Sequence, residues 1–231
     1  MTTQTHKHLR PIRSFVRREG RMTTAQRRAL EELWPRFGLD SGGALLDLAA
    51  SFGRTAPVIV EIGFGNGESL LATAVAQLEK NFIGVEVHRP GVGQLLILLA
   101  ERGIGNVRVV CDDAKEFLEQ RVPDDSLDAV QLFFPDPWPK ARHHKRRLVQ
   151  AEFVQLVRRK LRIGGQFHMA TDWQHYAEHM LTVMTEAQGF RNDAGAGQYA
   201  ARPEHRPQTK FERRGQRLGH GVWDLVFQRV A

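Results

Sequence analysis

The chain has a single cysteine, Cys111, in 231 residues. An intrachain disulfide and a cysteine-built zinc cluster are both excluded, and a reducing, cytoplasmic setting is expected. No apolar run approaches the roughly 20 residues that cross a bilayer. The opening stretch, MTTQTHKHLRPIRSFVRR, lacks the apolar core of a secretory signal. Internal repeats and low-complexity tracts are missing too. Acid is scarce at the start. Residues 1–30 hold Lys7, Arg10, Arg13, Arg17, Arg18, Arg21, Arg27 and Arg28 against Glu19 alone, and this matches the whole formal charge of +7.

Two further basic stretches follow. Residues 140–147 (KARHHKRR) contain no acid, and residues 202–217 set six Lys or Arg against Glu204 and Glu212. Any one of them could be a solubilising face. Three in one chain point to a polyanion, most simply a nucleic acid.

From Pro57 onward the pattern alternates between strand and helix. PVIVEI, FIGVEV, VRVV, LDAVQLFF and GQFHMAT read as strands, the first as a buried parallel one because it does not alternate. ESLLATAVAQLEK, PGVGQLLILLAERG, a short segment after Asp113, LVQAEFVQLVRRKLRIGG and WQHYAEHMLTVMTEAQG read as helices, the fourth with a glycine stop. VWDLVFQ is a late strand. Ahead of this lies a helix, TTAQRRALEELWPRFG, capped by Thr23 or Thr24, and a linker at Ser41-Gly42-Gly43. The pattern predicts an α/β fold, a doubly wound, mostly parallel sheet with helices on both faces. Residues 1–40 form a basic arm and helix, and residues 41–231 form the α/β domain.

The strongest local signal is Glu61-Ile62-Gly63-Phe64-Gly65-Asn66-Gly67-Glu68, between a strand and a helix. Gly63, Gly65 and Gly67 let the backbone turn tightly and approach a ligand, and the next helix aims free N–H groups at it. A dinucleotide loop needs its third glycine where Glu68 stands, and that carboxylate would repel a pyrophosphate. The loop resembles the E/D-x-G-x-G-x-G pattern of class I methyltransferases, and the resemblance implies a cofactor that is cationic at sulfur and has no phosphate, which an acid at Glu61 suits. Glu86 stands at the end of the second strand, where an acid can accept both ribose hydroxyls of an adenosine. Asp113, with Asp112 as the alternative, is placed for an adenine amino group. Helix capping is the other reading of these aspartates.

The fourth strand runs into Phe133-Phe134-Pro135-Asp136-Pro137-Trp138-Pro139-Lys140. Three prolines stiffen this segment. A fixed aspartate beside aromatic rings suits a flipped base, with the carboxylate on the base edge and the rings stacked. His143 and His144 lack companions at a metal-binding spacing, so no metal is expected. Trp34, Trp173 and Trp223 are expected to pack, and Cys111 to sit at a strand end.

FFPDPWPKARHHKRR closely resembles the signature of bacterial tRNA (guanine-N7) methyltransferases. SFVRREGRMT, EIGFGNGES, GVEVHRPGVG, ATDWQHYAEHM and TKFERRGQRLGHGVWDL resemble the same family over nearly the whole chain. The resemblance implies a Rossmann-like, class I methyltransferase fold with a seven-stranded sheet. S-adenosyl-L-methionine is then the cofactor and tRNA the partner, with guanosine 46 of the variable loop methylated at N7. It implies that Glu61, Gly63, Gly65, Gly67, Glu86, Asp113 and Asp136 contact the cofactor. Asp136 is implied as catalytic. Lys140, Asp172, Thr209, Lys210, Phe211 and Glu212 are implied to meet the guanosine, and Arg142, His143, His144, Lys145, Arg146 and Arg147 to hold RNA.

Guanine N7 carries a lone pair and no proton, so Asp136 is expected to position the base and offset its growing charge rather than act as an obligatory base. Competing readings are a methyltransferase of another RNA base, a non-catalytic RNA-binding protein and an NAD enzyme. The first would carry N/D-P-P-Y/F/W, whereas the order here is D-P-W-P. The sequence leaves monomer and homodimer open.

Overall fold

β1 (Val58–Ile62) and β2 (Asn81–Val85) are buried at every position, so both faces of the sheet are covered there. The structure is a computed structural model and describes residues 13–15, 20–204, 206–208, 212 and 221–231. β3 (Val107–Val110), β4 (Leu127–Phe133), β5 (Leu161–Thr171), β6 (Phe190–Asn192) and β7 (Trp223–Arg229) complete a seven-stranded sheet. Its order is β3-β2-β1-β4-β5-β7-β6. β1 to β5 pair in parallel, and β7 runs antiparallel to both β5 and β6.

The helices divide between the faces. α1 (Thr24–Glu32), α2 (Trp34–Phe37), α4 (Glu68–Ala76) and α5 (Arg89–Arg102) cover one core, with Phe37, Leu70 and Leu95 fully enclosed. α6 (Ala114–Arg121), α7 (Ala151–Lys160) and α8 (Gln174–Glu186) cover the other, around Phe117, Val154 and Met180. α3 (Leu48–Phe52) is a short addition on that side. Thr23 caps α1 through a reciprocal box with Gln26. After α2, Leu39 N–H donates to the Val109 carbonyl at 2.8 Å and Gly38 bridges Val109 in parallel, on the outer edge of β3.

Several sequence expectations need correction. The helix expected over LVQAEFVQLVRRKLRIGG starts at Ala151 and ends at Lys160. Leu161 is already extended and begins β5, so Gly164 and Gly165 lie inside a strand. The β4–β5 register shifts between Leu127 and Ala129, and a Cβ on Gly165 would lie 2.9 Å from the Arg162 carbonyl and 3.0 Å from that of Leu127. The glycine pair thus makes a bulge, not a helix stop. TTAQRRALEELWPRFG divides at Leu33 into α1 and α2. Trp173 is 41% exposed and does not pack as expected.

Candidate active site

A cavity of about 540 Å³ opens beyond the carboxyl ends of β1 to β4. The sheet order reverses there between β1 and β4, the usual place for a ligand in an open α/β sheet. Its walls come from Gly63, Glu86, Asp112, Asp113 and the segment Phe133 to Pro139, with Ser14 and Phe15 of the N-terminal segment closing one side.

Gly63, Gly65 and Gly67 have φ of 75°, 60° and 79°, values that L side chains rarely adopt. A Cβ on Gly63 or Gly65 would meet nothing within 4 Å, so the loop leaves a cradle there. A Cβ on Gly67 would strike Leu95 at 2.6 Å, so that glycine serves packing. Glu86, one residue past β2, ties the loop down. Its Oε2 accepts from Gly65 N–H at 2.9 Å, and its Oε1 accepts from the N–H groups of Val87 and His88.

Glu61 sits beside the cavity and not in its wall, because strand alternation turns it away from Ile62. It is buried, its Oε2 has no hydrogen-bond partner among the described residues, and burial pushes its carboxyl up to about 8. Asp113 caps α6, accepting from Lys115 N–H at 2.8 Å, while still lining the cavity. Asp112 accepts from the Ser41 hydroxyl at 2.6 Å. Both aspartates therefore do structural work at the cavity rim.

The cavity wall facing the glycine cradle is built on backbone strain. Phe134 and Trp138 have φ of 52° and 45°, unusual for bulky residues and of order 1–3 kcal/mol each. Phe134 N–H extends the β4–β5 ladder by donating to the Ala170 carbonyl at 2.8 Å. The chain then turns, leaving Asp136 exposed on the cavity rim. Lys140 is exposed beyond it, and Asp172 is half-buried just after β5. Thr209, Lys210 and Phe211 lie outside the described residues.

Glu212 is turned inward. It is 1% exposed, and its oxygens accept from Arg206 at 2.7 and 3.1 Å. Arg206 also donates to Asp224, which pairs with His168 at 2.8 Å. Burial disfavours the Asp224 carboxylate, yet hydrogen bonds from His168 and Arg206 outweigh it and hold the group below its ordinary value.

A 3-10 helix, Ala141–Arg146, carries the basic run. Arg142 and Lys145 are exposed on it, while His143 and His144 are half-buried. Burial and then the charges of Arg142, Arg146, Lys140 and Lys145 lower the His143 pKa. Arg147 departs from the expected RNA-holding set. It is 2% exposed, donates to the Pro137 carbonyl at 3.0 Å and lies over the Tyr176 ring. It braces the proline-rich segment from beneath, because residue 147 falls after the 3-10 helix, where the chain turns into the core.

Sequence reasoning missed the part played by Ser14 and Phe15, the Arg206 cluster and the hold of Arg146 on the N-terminal segment. Arg206 and Arg146 had been read as charge alone. Among the described residues no group of three or more His, Cys, Asp or Glu could hold a metal ion, and no helix is long and apolar enough to cross a membrane.

A seven-stranded sheet of this order, with a glycine cradle and acids at the ends of β2 and β3, defines a Rossmann-like methyltransferase that uses S-adenosyl-L-methionine. The model of the family described as "Putative methyltransferase" matches residues 55–225. The tRNA (guanine-N(7)-)-methyltransferase of Aeromonas hydrophila subsp. hydrophila is 61% identical over 224 residues, 97% of this chain and 94% of that one. The enzyme of the same name from Hydrogenovibrio crunogenus is 57% identical over 230 residues, covering 100% and 96%. The chain belongs to the tRNA (guanine-N(7)-)-methyltransferase family. In fold it is similar to the crystal structure of the 16S rRNA methyltransferase KamB, with a TM-score of 0.59 at 15% identity over 82% of this chain and 96% of that one.

Proposed function

We propose that the protein transfers a methyl group from S-adenosyl-L-methionine to N7 of a guanosine in tRNA, position 46 of the variable loop, in the cytoplasm. The observation that carries the proposal is one cavity walled on one side by the glycine cradle and on the other by Phe133 to Pro139. Donor and acceptor chemistry meet there. The cavity volume lies in the range of small-molecule sites, roughly 300–1,000 Å³. The open space at Gly63 and Gly65 and the unpartnered oxygen of Glu61 suit a cofactor with a cationic end.

When bound, the cofactor supplies a methyl group on a positively charged sulfur. Gly63 and Gly65 admit it to the cradle, Gly67 lets the loop close onto Leu95 beside it, Glu86 accepts from ribose and Asp113 from adenine. Glu61 is the counter-charge nearby. Asp136 faces both partners: it holds the cofactor end and accepts from the N–H edge of guanine. N7 has no proton to lose, so Asp136 aligns the base and offsets positive charge on its imidazole ring. Asp172 and Lys140 take further edges of the guanosine. Thr209, Lys210 and Phe211 belong to the same acceptor segment, with Glu212 facing the core. Arg142, His143, His144, Lys145 and Arg146 grip phosphates, with the basic arm ahead of residue 24.

Radiolabelled methyl transfer to unmodified tRNA, followed by nucleoside analysis, tests this. Label in 7-methylguanosine is expected, and strand cleavage at the modified base after borohydride and aniline treatment should map it to position 46. Label only in methyladenosine or methylcytidine would overturn the proposal.

A further inference from the structure

The structure assigns a role to a residue the reaction scheme leaves out: we propose that Arg206 is a positioning residue that holds the Phe134 turn, and through it Asp136, in the geometry methyl transfer requires. The proposal rests on the methyltransferase reading of this site. Four observations carry it.

Arg206 is fully enclosed, its side chain 0% exposed. An arginine is rarely found so deep unless it is paired. Here it spans two elements. Its Nη1 and Nη2 donate to Glu212, and Nη2 donates to Asp224 on β7 at 2.8 Å, with Nε of Arg206 2.7 Å from the other Asp224 oxygen. The planar guanidinium is the group suited to such two-sided, forked pairing.

The same guanidinium lies against the turn that carries the catalytic loop. Its carbon is 5.9 Å from the Phe133 ring centroid and 5.8 Å from that of Phe134, within reach of a cation–π attraction. Phe133 is held from another side by the edge of His168, at 4.9 Å between centroids. His168 in turn pairs with Asp224.

Phe134 is a residue that needs holding. Its left-handed φ costs free energy and persists only where the surroundings fix it. Two residues later the chain presents Asp136. Loss of the support beneath Phe134 lets the turn relax and moves the carboxylate.

Glu212 acts through Arg206 in this arrangement. Both its oxygens are engaged inward, on the same guanidinium that supports the turn. One buried cation thus ties Glu212, strand β7 and the Phe133–Phe134 turn into one unit.

The test is R206K, which keeps the charge but loses the fork. The readouts are kcat for tRNA methylation, cofactor Kd by calorimetry and melting temperature. A folded R206K with kcat lower by about tenfold or more, and cofactor Kd raised by a clearly smaller factor because Asp136 also holds the cofactor end, is expected. A folded R206K with near wild-type kcat overturns the proposal. So does a loss of kcat matched by an equal loss of cofactor affinity, which would mean general collapse of the site. Should R206K not fold, D224N reads the same hold from β7: it loosens Arg206 together with His168 and leaves Glu212 untouched, and H168Q, which breaks the His168 pair alone, is its control. A fall in kcat of about threefold or more beyond that of H168Q, with a smaller rise in cofactor Kd, supports the role, and a kcat unchanged or equal to that of H168Q overturns it. Absence of 7-methylguanosine with the wild-type chain would instead reject the functional reading, independently of Arg206.

Discussion

The guanidinium of Arg146 stacks on the indole of Trp138, 3.9 Å from its centroid. Together the two hold the N-terminal segment by its backbone. Trp138 Nε1 donates to the Ser14 carbonyl at 3.0 Å, and Arg146 donates to the carbonyls of Arg13 and Phe15 at 3.1 and 3.2 Å. Backbone acceptors make this hold indifferent to the side chains at 13–15. Trp138→Phe removes the indole N–H and keeps one aromatic ring under Arg146. One hydrogen bond is worth about 1 kcal/mol, so cofactor release measured by stopped flow should quicken by about fivefold. An unchanged release rate would show that Ser14 and Phe15 do not retain the cofactor.

The exposed cations of the 3-10 helix should act through phosphate alone. R142Q/K145Q is expected to weaken tRNA binding and to lower the slope of log K against log salt by about one to two units. Cofactor affinity should stay within about twofold of wild type. A slope equal to wild type would remove these residues from the interface. Arg147→Lys, by contrast, should lower the melting temperature, since its fork is buried between Pro137 and His175.

Glu61 links the cavity to pH. Its carboxyl titrates near 8 when folded, against an ordinary 4.5. Between these values the folded chain keeps a proton that the unfolded chain has lost. Stability of the cofactor-free protein should therefore fall as pH rises through this window. E61Q should flatten that slope in melts between pH 5 and 8.5. A cationic ligand favours the carboxylate, so cofactor binding at pH 7 should release a proton. Calorimetry in buffers of different ionisation enthalpy reads this directly, and identical heats after dilution correction would contradict it.

Gly63 in the loop and Gly91, on α5 against it, should fail in different ways. Gly63→Ala projects a methyl group into the cradle, so cofactor affinity should drop while stability falls by about 1–2 kcal/mol for the left-handed backbone. Gly91→Ala places its Cβ 2.1 Å from the Gly65 carbonyl and should disturb both loop and fold. Calorimetry and chemical melts of the two variants distinguish these outcomes.

Asp136→Asn separates alignment from proton removal. The amide keeps an oxygen acceptor but no charge. Single-turnover methylation should persist at a reduced rate with no new pH dependence. Complete loss of rate at every pH would favour an obligatory base.

Local chemistry made the donor side legible. Glu61 to Glu68 announces a strand, a positive-φ loop and a helix within eight residues, and the apolar runs of β1 and β2 announce burial on both faces. Asp136 was legible from proline density. What stayed hidden depends on distance along the chain. Ser14 meets Trp138 across 124 positions, and Arg206 meets Asp224 across 18. A string of basic residues looks alike whether its members face solvent, as Arg142 does, or the core, as Arg147 and Arg206 do. The Gly164-Gly165 pair misled for a related reason. Glycine punctuates helices and bulges equally, and only the β4–β5 register decides between them.

The parallel bridge from Gly38 to Val109 gives the stretch after α2 a second duty. β3 is the outermost strand on its side, and an uncovered border of that kind invites pairing with another chain. Leu39 occupies part of that border with its own amide, and Phe37 plugs the core just beside it. Trimming the protein to residue 41 would therefore do more than strip off arginines: it would bare a ladder of free backbone groups and favour self-association.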